Sequence, residues 1–145
     1  MAMPEMMKGG IAVDDRGSVR FVNDFNFSGV KRFYQVENHR RGFIRAWHCH
    51  RKEGKYVYVP KGSALVGAAP LKDDSTLDCA NGRKFVMSSS SPSALFIPPN
   101  YGNGFMSLEE GTILMFFSTS TLEESKGDDI RLPFDAWDIW QEDFR

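Results

Sequence analysis

The stretch Gly42-Phe43-Ile44-Arg45-Ala46-Trp47-His48-Cys49-His50, followed by Lys55-Tyr56-Val57-Tyr58-Val59-Pro60-Lys61-Gly62, decides how this chain is read. Both segments are rich in aromatic and β-branched residues, lack helical spacing of apolar positions and are bounded by Gly or Pro, which is the signature of short strands. Side chains on a strand alternate between its two faces. His48 and His50 therefore share one face, with Trp47 and Cys49 on the other, while Lys55, Val57 and Val59 share a face opposite Tyr56 and Tyr58. Periodicity alone leaves two arrangements for the second strand, one with Lys55 inward and one with the tyrosines inward. An inward Lys55 requires a polar cavity, because a buried ammonium group costs several kcal/mol unless it is paired or wetted.

The same pattern extends along the chain. Strands are expected at 11–13, 19–21, 32–36, 42–50, 55–60, 64–68, 84–87, 94–97, 104–107 and 112–118. Asp14-Asp15-Arg16-Gly17, Pro60-Lys61-Gly62 and Asn81-Gly82 read as turns, and Ser88-Ser89-Ser90-Ser91-Pro92 as a short polar loop. No repeat or linker divides the 145 residues, so one domain over 1–145 is expected, of all-β class. Many short strands at close spacing suggest a sandwich or jelly-roll barrel, which leaves few sheet edges exposed.

Bulk properties narrow the function classes. A net charge of -1 gives no electrostatic case for nucleic acid or an anionic membrane. No apolar run approaches the ~20 residues a membrane span needs, and the start Met1-Ala2-Met3-Pro4-Glu5-Met6 lacks the basic flank and apolar stretch of a signal peptide. A cytoplasmic protein is expected. Cys49 and Cys79 can form at most one bridge and read as reduced, partly buried thiols. The run from Leu122 to Asp129 reads as a solvated acidic loop, and Trp47, Trp137 and Trp140 as candidates for stacking on a base.

The spacing of His48, His50 and Gly62 resembles the first motif of the cupin β-barrels, and Phe96-Ile97-Pro98-Pro99-Asn100-Tyr101-Gly102-Asn103-Gly104-Phe105 resembles their second. Metal-binding cupins place a Glu where Lys55 stands and a His where Asn103 stands. A cation in place of an anionic ligand repels a divalent ion, so neither metal nor cofactor is expected.

Within that fold the chain resembles the nucleotide-sugar 3,5-epimerases of the dTDP-4-dehydrorhamnose type. The matching elements are Asp14-Asp15-Arg16-Gly17, Arg45-Ala46-Trp47-His48, Lys55 seven residues before Gly62, the segment from Ile97 to Phe105, and the closing Arg131-Leu132-Pro133-Phe134-Asp135-Ala136-Trp137-Asp138-Ile139-Trp140. The resemblance implies a cupin jelly roll that removes and returns a proton beside a 4-keto group in deoxysugar or polysaccharide biosynthesis. By matching, His48 is the base, Lys55 faces the enolate oxygen, and Asp135 (or Asp138) orients His48. Arg16 and Arg45 hold the diphosphate or sugar, and Gln35, Asn38, His50 and Asn103 supply polar substrate contacts. A nucleotide-diphosphate sugar is the implied substrate and a homodimer the implied assembly.

Departures from the family pattern keep other readings open. The acid of the family is a Tyr on a late strand; here Phe116 takes its place, and an Asp of the strand after Gly62 gives way to Val66-Gly67. Tyr34, Tyr101 or a water could replace the acid. A 3,4-ketoisomerase, whose strand resembles His48-Cys49-His50, moves a proton on one face and needs no opposite acid. A sugar-nucleotide-binding cupin without catalysis needs none either.

Overall fold

The computed structural model describes residues 2–141. Its strands are β1 (Glu5–Lys8), β2 (Gly10–Asp14), β3 (Gly17–Phe21), β4 (Arg32–Glu37), β5 (Ile44–His50), β6 (Lys55–Lys61), β7 (Ser63–Pro70), β8 (Arg83–Ser88), β9 (Ser93–Ile97), β10 (Tyr101–Ser107), β11 (Ile113–Ser118) and β12 (Ile130–Arg131). One short helix, α1 (Leu122–Lys126), and two 3₁₀ turns complete the chain. All ten strands expected from the sequence are present. Glu5–Lys8 escaped notice because Glu-Met-Met-Lys has no β-branched residue, and Ile130–Arg131 because two residues carry no periodicity.

Pairing is antiparallel throughout and yields two five-stranded sheets, β1-β9-β6-β11-β4 and β12-β5-β10-β7-β8, with β2-β3 as a separate hairpin. The jelly roll is therefore an all-β sandwich of two sheets, and among the described residues no ladder bonds join them into one ring. Inward side chains of both sheets meet in a common core that includes Val57, Val59, Leu95, Leu114 and Phe116 from the first and Val66, Met87 and Phe105 from the second. Lys55, Val57 and Val59 are the inward set on β6, which settles the ambiguity left by periodicity.

A second apolar cluster covers the outer face of the second sheet. Trp47 and Cys49 point there and pack with Leu71, Leu77 and Trp140 beneath the closing segment of the chain. Trp47 stacks on Trp137 at 5.4 Å, and the indole N–H groups of Trp47 and Trp140 both donate to the Phe134 carbonyl. These tryptophans fasten the tail to the sheet, so the expectation that they stack on a base is corrected. Cys49 is buried and Cys79 half-buried, and neither is in a disulfide.

Candidate active site

One end of the sandwich opens into a cavity of about 340 Å³ whose walls come from both sheets. The second sheet contributes Arg45, His48 and His50 of β5, Asn103 and Phe105 of β10, and Arg131 of β12. The first sheet faces them with Arg32, Tyr34 and Val36 of β4, Lys55 of β6 and Phe116 of β11. Leu122, Ser125 and Lys126 of α1 and the following Asp129 form the rim.

Strict alternation would put Arg45, three residues before His48, on the opposite face. It reaches the cavity because β5 carries an extra residue: Asn103 pairs with His48, but Phe105 pairs with Arg45. Asn38 then fixes Arg45. Its Oδ1 accepts from Arg45 Nε at 2.7 Å, while its Nδ2 donates to Phe43 O and Ser107 Oγ.

His48 is flanked along the sheet by Asn103 on β10 and Arg131 on β12. Asn103 Nδ2 donates to the His48 carbonyl at 3.3 Å. Burial, and then the positive charges of Lys55 and Arg131, hold the His48 imidazole below its ordinary value of 6.5, with Asp129 opposing them. A neutral, proton-accepting imidazole therefore stands in the cavity at pH 7.

Behind the cavity wall lies Glu53, fully buried, within ion-pair range of Lys55 Nζ (3.4 Å), Arg32 Nη2 (3.5 Å) and His50 Nε2 (3.6 Å). Among the described residues neither of its oxygens makes a hydrogen bond with good geometry, so charge attraction links Glu53 to Lys55 and Arg32. The turn that places Glu53 is built by Asp128, whose carboxylate accepts from the backbone N–H groups of Arg51, Lys52 and Glu53. Burial pushes the Asp128 pKa up, but these three donors together outweigh it and hold the carboxyl below its usual value. The Asp128 carbonyl also meets His50 Nδ1, which must donate to it, and so presents Nε2 toward Glu53.

The cavity thus gathers His48, His50, Lys55, Arg45 and Asn103 among the residues expected from the sequence. Asn38 is close by but buried, and it positions Arg45 rather than lining the cavity. Three expectations need correction. Asp135 is exposed in a 3₁₀ turn on the far side of the second sheet, with Trp137 and the closing segment, and the carboxylate whose charge is felt at His48 is Asp129, itself paired with Arg131 at 3.0 Å. Gln35 points outward from β4, because Tyr34 and Val36 take the inward positions. Arg16 sits at the tip of the β2-β3 hairpin, exposed and paired with Asp14 at 2.6 Å, away from this cavity.

Sequence reasoning also missed α1. The run from Leu122 to Asp129 is a wall of the site, and a signal for it was present: Thr121 and Glu124 form a capping box. Arg32 and Asp129 had no motif to mark them, and Arg131 entered only as the first residue of the closing segment. Arg32, Arg45, Lys55, Lys126 and Arg131 line the cavity. Glu53 pairs with Lys55 and Arg32, Asp129 with Arg131 and Glu123 with Lys126, which leaves a cationic excess that suits an anion. Among the described residues no group of three or more His, Cys, Asp or Glu side chains could hold a metal ion, and no helix is long and apolar enough to cross a membrane.

Comparison with known proteins agrees with this geometry. A family model described as dTDP-4-dehydrorhamnose 3,5-epimerase matches residues 8–140. The spore coat polysaccharide biosynthesis protein SpsL of Bacillus subtilis (strain 168) is 29% identical over 108 residues, covering 72% of this chain and 71% of that protein. Among solved structures, ChmJ, a 3'-monoepimerase from Streptomyces bikiniensis in complex with dTDP-quinovose, superposes with a TM-score of 0.79 at 18% identity, covering 98% of this chain and 77% of that one. A 3,4-ketoisomerase from Helicobacter canadensis superposes with a TM-score of 0.69 at 19% identity, covering 92% and 94% of the two chains. At such identities the structural likeness speaks for the fold.

Proposed function

The chain belongs to the dTDP-4-dehydrorhamnose 3,5-epimerase family of isomerases, and we propose that it inverts C3, C5 or both in a nucleotide-linked 4-keto-6-deoxy sugar. The observation that carries this reading is the meeting of a neutral His48 and a Lys55 from opposite sheets in one cationic cavity. A ketone at C4 acidifies the hydrogens on C3 and C5. His48 removes one as a proton, and the electron pair moves through the new C=C bond to the C4 oxygen. Lys55, held by Glu53, faces that developing enolate from the opposite wall, where a fixed positive charge stabilises the oxyanion.

The diphosphate lies among the guanidinium and ammonium groups of Arg45, Arg32, Arg131 and Lys126, with His50 and Asn103 as polar contacts to the sugar. The dTDP-sugar complex of ChmJ supports a nucleotide-linked substrate, and the role named for SpsL supports a product that enters a surface polysaccharide. We assign the reaction to the cytoplasm as part of this proposal, since the family's reaction uses a nucleotide-activated sugar.

A homodimer completes the reading. The outer face of the first sheet presents Phe33 and Phe117 with Phe25 and Phe27 beside them, and Phe33 and Phe27 are 66% and 65% exposed. A second copy on this face would cover them and would bury Gln35. Phe33→Asp should then release monomers on sizing with light scattering.

The direct test is product analysis after incubation with thymidine- and guanosine-diphosphate 4-keto-6-deoxyhexoses. Inversion at C3 or C5 is expected. The pair His48 and His50 also suits a 3,4-ketoisomerase, and appearance of a 3-keto sugar would establish that reaction instead. Tight ligand binding without turnover of any substrate would reduce the protein to a binding module.

A further inference from the structure

Inversion requires two groups, because the proton leaves one face of the sugar ring and returns to the other. His48 belongs to the second sheet, so the returning proton must come from the wall that faces it. That wall offers Arg32, Tyr34, Val36, Lys55 and Phe116. Val36 and Phe116 have no proton to give, and a guanidinium does not deprotonate in proteins. Lys55 is tied to Glu53 at 3.4 Å and is already assigned to the enolate oxygen. Tyr34 remains. Tyr101, the other phenol that the sequence leaves open, is 5% exposed within the core and does not line the cavity.

Resting on the proposed epimerase reading, we infer that Tyr34 is the general acid that protonates the enolate carbon on the face opposite His48. Tyr34 on β4 is the register partner of Phe116 on β11, and the two rings stack at 5.1 Å with planes 13° apart. The hydroxyl absent from position 116 is thus present one strand away, on the same inner face. Arg32 lies 5.0 Å from the Tyr34 ring centroid and Lys55 5.8 Å, so negative charge arriving on the phenol meets two cations. In the step, the C4–O enolate reforms the ketone as its C=C electron pair takes the proton of the Tyr34 O–H. Phenolate and imidazolium then return to their resting states by exchange with water, and no net proton is consumed.

The test uses Tyr34→Phe, Phe116→Tyr and the double variant that swaps the hydroxyl across the register pair. Each is followed in heavy water for two readouts, deuterium entry at C3 or C5 and inversion of the same carbon. Tyr34→Phe should lose inversion by about 100-fold or more, the usual contribution of a general acid. It should keep deuterium entry, because His48 can still take a proton and return solvent deuterium to the same face. The swapped double variant should regain part of the inversion. Inversion by Tyr34→Phe within a few-fold of wild type would overturn the assignment, as would parallel loss of both readouts in a variant that melts like wild type. Failure of the wild-type protein itself to exchange or invert would instead overturn the epimerase reading, and this assignment with it.

Discussion

Glu53 offers the sharpest stability prediction. Its side chain is completely buried, and Lys55 and Arg32 lie 3.4 and 3.5 Å from it, with side chains 8% and 24% exposed. Glu53→Gln keeps the shape and removes the charge, so no cavity term enters. Breaking a buried ion pair by removing one partner costs about 3–5 kcal/mol. Here the orphaned cations border a cavity that water can enter, so the lower end applies, about 3 kcal/mol. For a domain of this size that amounts to a fall in Tm of roughly 10 °C. Thermal unfolding of wild type, Glu53→Gln, Lys55→Met and the double variant provides the assay. Removing both partners should cost less than the sum of the single losses, with a coupling of at least about 1.5 kcal/mol. A Tm within about 3 °C of wild type for Glu53→Gln, or strictly additive losses, would refute the claim that this carboxylate holds the site together.

Further outcomes follow from the same geometry. His48 is depressed first by burial and then by Lys55 and Arg131, so the acid limb of kcat/KM should lie below pH 6.5. The unfolded chain takes up this proton before the folded one does. Its contribution to stability is therefore full above pH 6.5 and is lost as pH falls from there through the lower folded value. In an NMR titration Lys55→Met should raise the His48 value, yet leave it below 6.5 because burial is the largest cause. Burial pushes the Cys49 thiol up to about 11, so a thiol reagent at pH 8 should label Cys79 and leave Cys49 hundreds-fold slower, read by mass spectrometry. Gly62→Ala should destabilise by about 2 kcal/mol or more in chemical unfolding, because φ is +80° and the added Cβ would fall 2.2 Å from Thr112 Oγ1 and 2.9 Å from Thr112 Cα.

Much of this was legible in the chain because short strands announce themselves by alternation and by the Gly and Pro between them. The pairing of His48 with His50, and Lys55 with Val57 and Val59, followed from period two alone. What alternation could not supply was any place where the period breaks. Arg45 joins His48 only through the extra residue in β5, and no residue type advertises that bulge. Gln35 was placed by family likeness, but β4 alternates cleanly and Tyr34 with Val36 took the inward face.

The carboxylate beside His48 was mistaken for Asp135 because sequence gives no distance. Two residues of β12, pairing beside Cys49 and His48, bring Asp129 there instead. The fold on that side is fixed by Trp47, Trp137 and Trp140, whose size and burial make them anchors for the tail rather than platforms for a base. Asp128 was hidden in an acidic run, where nothing separates a turn-building carboxylate from a solvated one until its three backbone donors are seen.

The most direct test of the central claim is the rate of solvent deuterium entry at C3 and C5 of a nucleotide-linked 4-keto-6-deoxyhexose, measured by proton NMR for wild type and His48→Ala. The account predicts entry with inversion at one or both carbons in the wild type, and its loss in His48→Ala at unchanged Tm. Undiminished exchange in His48→Ala would contradict the assignment of the base, and no exchange in the wild type with any such sugar would contradict the function itself.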